Sequence, residues 1–352
     1  MKKRGLAFIM VLLMLSMTLF GCSTSEQEPA PAQEPAPALE PAPTQTDAMP
    51  KVELKLGHVL NEESPFHKGA EEFARIVAEE SGGNIEIKLF PSGLLGNDRE
   101  LTEGMQLGTV DMAVVGTATI AGFVPRLQMF DMPFLFSSAE HAYRVLDGEI
   151  GETVLNDFES ISIKGLAFWE NGFRHLTNSD KPVKSPEDIK GFKIRVQEIP
   201  LHLDFWKELG ANPTPMAFSE LYTALQQGTV DGQENPIQTI YTQKLYEVQE
   251  YLTMTYHVYA PAIIMISQSS FDKLPAEYQT ILIEAAKETA GFERNYIKEL
   301  EAKAMAELPS LGVIIEENPD IEAFKSKVAP IYEKYGEELD IEELLKKIDE
   351  LK

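Results

Sequence analysis

The chain has 352 residues, 43% of them hydrophobic and 25% charged, which is the profile of a folded protein with room for two domains of ordinary size. Its 31 Lys and Arg stand against 56 Asp and Glu, a formal net charge of -25 that repels nucleic acid at long range and argues against it as a partner. The single cysteine, Cys22, excludes an internal disulfide and a Cys-based zinc or redox centre. A small anionic ligand stays compatible with this charge, because a few arginines at contact distance outweigh screened repulsion from the distant surface.

The first residues read as an address. Lys2, Lys3 and Arg4 precede an apolar run from Leu6 to Leu15, which is short of the roughly 20 residues a membrane span needs. Leu19-Phe20-Gly21-Cys22-Ser23 follows, and the basic, apolar, small-residue order is that of a secretory signal over residues 1–21. The Leu-x-Gly-Cys ending resembles a bacterial lipobox, which implies lipidation of Cys22 as the new first residue; the alternative is an uncleaved signal anchor. From residue 22 to 50 the chain is dominated by Pro, Ala and Glu, as in Glu28-Pro29-Ala30-Pro31. Such a segment buries no core and is expected to be a solvated tether holding an extracytoplasmic domain off a membrane.

The folded part begins near Val52, where Val52, Leu54 and Leu56 alternate with charged residues as in a strand. Ser64 and Pro65 read as the N-cap and first residue of a helix with an apolar face at Phe66, Ala70, Phe73 and Val77. Gly82-Gly83 ends it, and Ile85, Ile87 and Leu89 resume strand alternation. A second helix is expected from Arg99 to Leu107, stopped by Gly108, with a buried strand over 110–115. The same order recurs downstream. A strand at Phe192, Ile194 and Val196 follows a helix stop at Gly191, then come a helix over 201–209, an extended segment over 211–216, a helix over 219–227 and a strand from Thr229. The two units end alike, Gly108-Thr109-Val110-Asp111 beside Gly228-Thr229-Val230-Asp231.

Strand–helix alternation of this kind predicts an α/β protein with two lobes, each built on a mainly parallel sheet, and a ligand cleft between them at the carboxyl ends of the strands. Lobe I is expected over 51–172 plus 261–301, and lobe II over 173–260 plus 302–352. A proline-free helical stretch from Ala276 to Ala306 is long enough, at 1.5 Å per residue, to brace both.

Arg195 ends the strand Lys193-Ile194 at a break, so it belongs at the cleft, where its planar fork suits a carboxylate. A surface salt bridge is the competing reading of this residue. Arg174, after the apolar strand 165–169, is a second anion donor or a hinge contact. Gly232-Gln233-Glu234-Asn235-Pro236 offers amides suited to hydroxyl and carboxylate groups, or else a polar turn capping the next helix. Phe218 and Trp169 are aromatic candidates for ligand contact, with core packing as the alternative. The six histidines are scattered without metal-ligand spacing and read as structural or exposed. No phosphate loop, nucleophile elbow or His-Glu-x-x-His string appears, so neither an enzyme nor a cofactor is expected.

Phe192-Lys193-Ile194-Arg195-Val196, Gly210-Ala211-Asn212-Pro213-Thr214-Pro215-Met216-Ala217-Phe218 and Gln227-Gly228-Thr229-Val230-Asp231-Gly232-Gln233-Glu234-Asn235-Pro236 together resemble the DctP-type substrate-binding proteins of tripartite ATP-independent periplasmic (TRAP) transporters. Lys88-Leu89-Phe90-Pro91-Ser92-Gly93 and Asp131-Met132-Pro133-Phe134 fit the same family, and the resemblance runs from about Val52 to Lys334. It implies a periplasmic-binding-protein-like fold, a small organic acid as ligand and a TRAP membrane permease as partner. It also implies Arg195 as the carboxylate anchor, Arg174 as a second donor, Phe218 and Asn235 as packing and hydrogen-bonding contacts, and Asp98 as a polar pocket position. Val59 and Gly116 stand where sialate-binding members carry Asn and Glu, which disfavours sialate. Glu63, His67 and Trp169 are further candidates for reading a polyhydroxylated ligand. A sugar acid such as a uronate or aldonate is the favoured cargo, with a C4-dicarboxylate second. Service to an ABC permease or a sensor, an exported enzyme and a structural lipoprotein are the competing readings of the whole chain.

Overall fold

In the computed structural model, which describes residues 49–352, the alternation at Val52, Leu54 and Leu56 forms strand β1 (Val52–Gly57). The Ser64 hydroxyl accepts the His67 amide to cap helix α1 (Pro65–Glu80), and Pro65 opens that helix where a missing amide does no harm. Strand β2 (Ile85–Phe90), helix α2 (Asp98–Leu107) and strand β3 (Met112–Gly116) complete the first unit. The expected signal peptide, Cys22 and the tether through residue 48 lie outside the described residues. None of the described helices is long and apolar enough to cross a membrane.

Helices α3 (Thr117–Ile120), α4 (Ala139–Leu146) and α5 (Glu149–Asp157) lead into strand β4 (Ile163–Asn178). The second unit is β5 (Lys193–Val196), α6 (Pro200–Glu208), β6 (Asn212–Pro215), α7 (Phe218–Gln226) and β7 (Gly232–Pro236). After it come α8 (Ile237–Thr242), β8 (Tyr251–Ser267), α9 (Gln268–Phe271), α10 (Ala276–Glu307), β9 (Ile314–Glu316), α11 (Ile321–Glu338) and α12 (Glu342–Glu350).

The repeat is visible in the pairing. β1 pairs in parallel with β2 and β3, and β5 pairs in parallel with β6 and β7. The shared Gly-Thr-Val-Asp string does the same job twice. Gly108 and Gly228 both turn the chain at positive φ, 71° and 66°, a conformation that disfavours residues with a Cβ. The Thr109 and Thr229 amides then reach back 2.9 Å to the carbonyls of Gly104 and Ala224. Asp111 Oδ2 accepts the Lys55 amide at 3.0 Å, and Asp231 Oδ2 accepts the Lys193 amide at 2.8 Å. In each half the carboxylate extends the ladder by one step beyond Leu56↔Met112 or Ile194↔Gly232.

The two parallel sheets are not separate. β4 and β8, of 16 and 17 residues, run antiparallel to each other through both halves and join them into one path, β2-β1-β3-β8-β4-β7-β5-β6, with β9 on β8. The expected helix before Gly191 is one 3-10 turn over Pro186–Ile189, held by a capping box between Ser185 and Asp188. The third strand of each unit starts later than expected, because the residues before it form the turn just described. Helix α10 extends for 32 residues, about 48 Å. Its Tyr278, Leu282 and Ala286 pack in one core with Leu54 and Phe73, whereas its Ala304 packs in another with Leu221 and Leu252. The helix therefore spans the two halves.

Where β4 meets α10, acids are buried together. The Tyr143 hydroxyl donates to Glu170 Oε2 at 2.6 Å, and the Glu170 amide donates to Glu293 Oε2 at 3.1 Å. Burial is the main influence on these groups. It pushes the Glu170 carboxyl up to about 7 despite the Tyr143 hydroxyl and nearby Arg294, and it pushes Glu301 up to about 7 with help from Glu170. A carboxyl with a higher pKa folded than unfolded binds its proton more tightly in the folded state. Its effect on stability is therefore nil below about pH 4.5 and grows more unfavourable as pH rises to about 7. Glu170→Gln, which keeps an acceptor for Tyr143 and removes the charge, is expected to raise the melting temperature at pH 8 by roughly 2–4 °C. At pH 4 the two proteins should melt together, which calorimetric scans at both pH values check.

Candidate ligand-binding site

The carboxyl ends of the parallel strands converge on one cavity. Arg195 and, two residues on, Gln197 come from the end of β5, Asn235 from β7 and Phe218 from the first position of α7. From the other half come Val59 after β1, Asp98 at the start of α2, Gly116 at the end of β3 and Thr119 on α3, while Asn171 comes from the crossing strand β4. The cavity is contracted to about 30 Å³, and a neighbouring one that shares Asp98, Arg195 and Phe218 is about 20 Å³. Each is of the size of a water site rather than an organic acid. A wider mouth of about 420 Å³ adjoins them through Val59 and Phe218.

Arg195 is buried, with only 2% of its surface exposed. Its Nε donates to the Met216 carbonyl at 3.0 Å and its guanidinium lies 6.0 Å from the Phe218 ring centre, but Nη1 has no partner. Burial pulls this guanidinium down to about 10, with the nearby Glu234 charge acting against the shift. Asp98 is buried too, and its Oδ1 is likewise unpartnered. Burial pushes its carboxyl up to about 7, although the Thr119 hydroxyl and Arg195 favour the charged form. Gln197 Oε1 and Thr239 Oγ1 complete a set of four unpartnered buried polar atoms on residues that line one cavity. Buried polar atoms are almost always satisfied, and here four that are not lie on residues around one cavity, where a polar group entering it could meet them. Gly116 leaves the space beside the amides open: a Cβ there would sit 3.7 Å from Asn171 Nδ2 and 3.9 Å from Gln197 Nε2.

Arg174 is placed differently from Arg195. It forms a fork-to-fork pair with Glu234, through Nε to Oε2 and through Nη2 to Oε1 at 2.9 Å, and Nη2 also reaches Asn235 Oδ1 at 3.2 Å. His257 Nε2 approaches Glu234 Oε2 at 3.2 Å. Burial alone would raise the Glu234 carboxyl; Arg174 and His257 more than offset it and hold the group well below the usual carboxylate range. Arg174 thus stands behind Asn235, its charge already answered. The stretch 232–236 is itself strand β7 rather than a turn after a strand, and Glu234 is the neutralising partner that local reading of the motif misses.

Three candidates lie elsewhere. Glu63 is exposed in the loop before α1, with its amide bonded to Asn61 Oδ1. Trp169 is fully buried, donates its indole N–H to the Ala286 carbonyl at 3.0 Å and packs in the core with α10, away from the residues that line the cavity. The His67 ring is 3.1 Å from His58 and 3.4 Å from Glu71, and its neighbour Phe66 lines the cavity instead. None of the six histidines is exposed, and among the described residues no cluster of three or more His, Cys, Asp or Glu is placed to hold a metal. Sequence reasoning assigned no role to Gln197, Asn171, Thr119 or Thr239. Only Gln197 carried a signal, because two-residue spacing along a strand puts it on the face of Arg195.

The signature described as bacterial extracellular solute-binding protein, family 7, matches residues 56–338. The chain belongs to this family. The 2,3-diketo-L-gulonate-binding periplasmic protein of Escherichia coli is 37% identical over 79% of the chain and 85% of its own length. A TRAP periplasmic solute-binding protein from a Polaromonas species, solved with D-erythronate, is 39% identical, covers 85% of the chain and 98% of its own, and superposes with a TM-score of 0.83. The sugar acid binding protein of Advenella mimigardefordensis, solved with galactonate, is 37% identical, covers 87% of the chain and 100% of its own, and gives 0.84. Family 7 proteins are ligand-binding components of transport systems, and the two-lobed α/β architecture expected from the repeat is theirs.

The buried pair behind the cavity makes a prediction of its own. Removing the carboxylate in Glu234→Ala leaves the Arg174 charge buried and unanswered, and is expected to destabilise the fold by about 3–5 kcal/mol. Urea unfolding of the two proteins measures it, and a loss below 1 kcal/mol would contradict the assignment.

Proposed function

We propose that this protein captures a sugar acid outside the cytoplasm and hands it to a TRAP permease, without performing a reaction on it. The observation that carries the choice of cargo is the set of four unpartnered atoms around one cavity: Arg195 Nη1, Asp98 Oδ1, Gln197 Oε1 and Thr239 Oγ1. Arg195 supplies N–H donors for one carboxylate. The Asp98 and Gln197 oxygens accept, and what they need is a hydroxyl donor. An aldonate or uronate brings one carboxylate and several hydroxyls. A simple C4-dicarboxylate such as succinate brings a second anion and no donor, and Arg174, the cation that would meet it, is already paired with Glu234. The sugar acids bound by relatives of this chain point the same way.

In this reading Arg195 fixes the carboxylate, Phe218 packs against the ligand and Asn235, Gln197, Asn171 and Asp98 read its hydroxyls. The contracted cavity admits a six-carbon acid only when the halves part, so 51–172 plus 261–301 and 173–260 plus 302–352 serve as the two moving lobes. The bulged crossing strands β4 and β8 serve as the joint; their register slips between Glu170 and Gly172 and between Arg174 and Leu176. Upstream, a signal over 1–21 and lipidation at Cys22 keep the protein at the membrane surface, with the Pro- and Ala-rich segment as its tether.

Titration calorimetry with galactonate, gluconate, galacturonate and succinate tests the cargo. One sugar acid is expected to bind at one site per chain, and Arg195→Ala to weaken it by at least about 100-fold. Binding of succinate alone, or undiminished binding by the variant, would sink the reading. For the anchor, mass spectrometry of the protein extracted from membranes is expected to show residues 1–21 removed and acyl mass added at Cys22; an unmodified Cys22, or a chain that keeps residues 1–21, contradicts lipidation at this residue.

A further inference from the structure

Among the charged side chains that line the two contracted cavities, the cations are soon accounted for. Arg99 reaches Glu103 at 2.9 Å and is largely exposed, and Arg195 is the buried cation without an acidic partner. Arg174, behind Asn235, is matched by Glu234. The acids are Asp98 and Glu198, of which Glu198 is exposed and Asp98 is buried with Oδ1 free. Asp98 and Arg195 share the cavity, yet each keeps an unpartnered atom, so neither satisfies the other. Nor does Asp98 hold the start of α2 in place. The capping box there is closed by the Asn97 side chain accepting the Glu100 amide at 2.9 Å and the Glu100 carboxylate accepting the Asn97 amide at 2.8 Å.

A buried carboxyl with one oxygen unpartnered, lining the same cavities as the guanidinium that awaits an anion, suits a discriminating role. We propose that Asp98 sets the charge selectivity of this site, admitting acids with a single carboxylate and rejecting those that carry a second. The inference rests on the sugar-acid reading above and deepens it. Once Arg195 has taken the first carboxylate, the site contains no unpaired cation, and a second carboxylate meets a buried like charge. A terminal hydroxyl in its place donates to Asp98 instead.

The clean comparison holds the hydroxyls constant. Galactonate and galactarate differ at one end, a primary alcohol against a carboxylate, and so do gluconate and glucarate. Wild type is expected to bind the better aldonate of the two at least about 100-fold more tightly than its aldarate. Asp98→Asn keeps the shape and the acceptor oxygen, and is expected to narrow that ratio by about tenfold or more, chiefly by strengthening the aldarate. Asp98→Ser serves as the second variant should the first fold poorly, and the same narrowing is expected of it. A pH series gives a readout that a merely structural role leaves still. The groups facing Asp98 are Arg195 from β5, Glu198 just after it and Thr119 from α3. Arg195 stays charged across the range tested, so raising the pH from 6 to 8.5 ionises Asp98 further and widens the preference in wild type, while both variants hold theirs constant. Aldonate binding with a ratio unmoved by either substitution overturns this inference alone. Absence of any aldonate binding by wild type overturns the sugar-acid reading, and this inference with it.

Discussion

A guanidinium buried without an acidic partner is the constraint on which the site depends. Taking such a charge out of water is unfavourable unless something answers it. The protein answers one of its two central arginines internally and leaves the other waiting. Arg174 is enclosed by Glu234, Asn235 and, through Glu234, His257, so its contribution is to hold β4 and β7 in register behind the cavity. Arg195 has only the Met216 carbonyl and the face of Phe218. The difference between the two lies in one residue, Glu234, whose carboxylate points toward the crossing strand rather than into the cavity.

The same contrast explains how far the sequence could be read. The repeated strand–helix units are legible because their signals are local: Ser64 before Pro65, the paired Gly-Thr-Val-Asp turns, the alternation in β1 and β2. Arg195 and Asn235 were legible as candidates because strand ends carry them to the cavity directly. The long strands β4 and β8 were not legible as such. β8 is buried along nearly its whole length and so lacks the alternation that marks a half-exposed strand, while β4 contains Glu170-Asn171-Gly172, which reads as a break. Their pairing is between segments some 90 residues apart, and nothing local announces it.

Trp169 and His67 illustrate the opposite failure. Chemically versatile side chains near motif residues invite a functional reading, yet the next residue on a helix is turned by about 100°, and the register slip between Glu170 and Gly172 breaks the alternation that would put Trp169 and Asn171 on one face. Trp169 points into the core beneath α10 and His67 into a histidine pair, while Phe66 and Asn171, less conspicuous in the sequence, face the cavity. The carboxyl of Asp98 is better hidden still, since its meaning depends on which neighbours leave it unbonded.

Helix α10 has one end embedded in each core, with Ala286 on one side and Ala304 on the other. A rod fastened at both ends cannot follow a relative rotation of its supports without bending, so in the proposed parting of the halves it would act as a leaf spring. Gly291 lies between the two attachments, with open space where a Cβ would be, and offers the least resistance to curvature there. The elastic stiffness of this one helix, as much as any contact with cargo, would then set how far the jaws travel and how quickly they return.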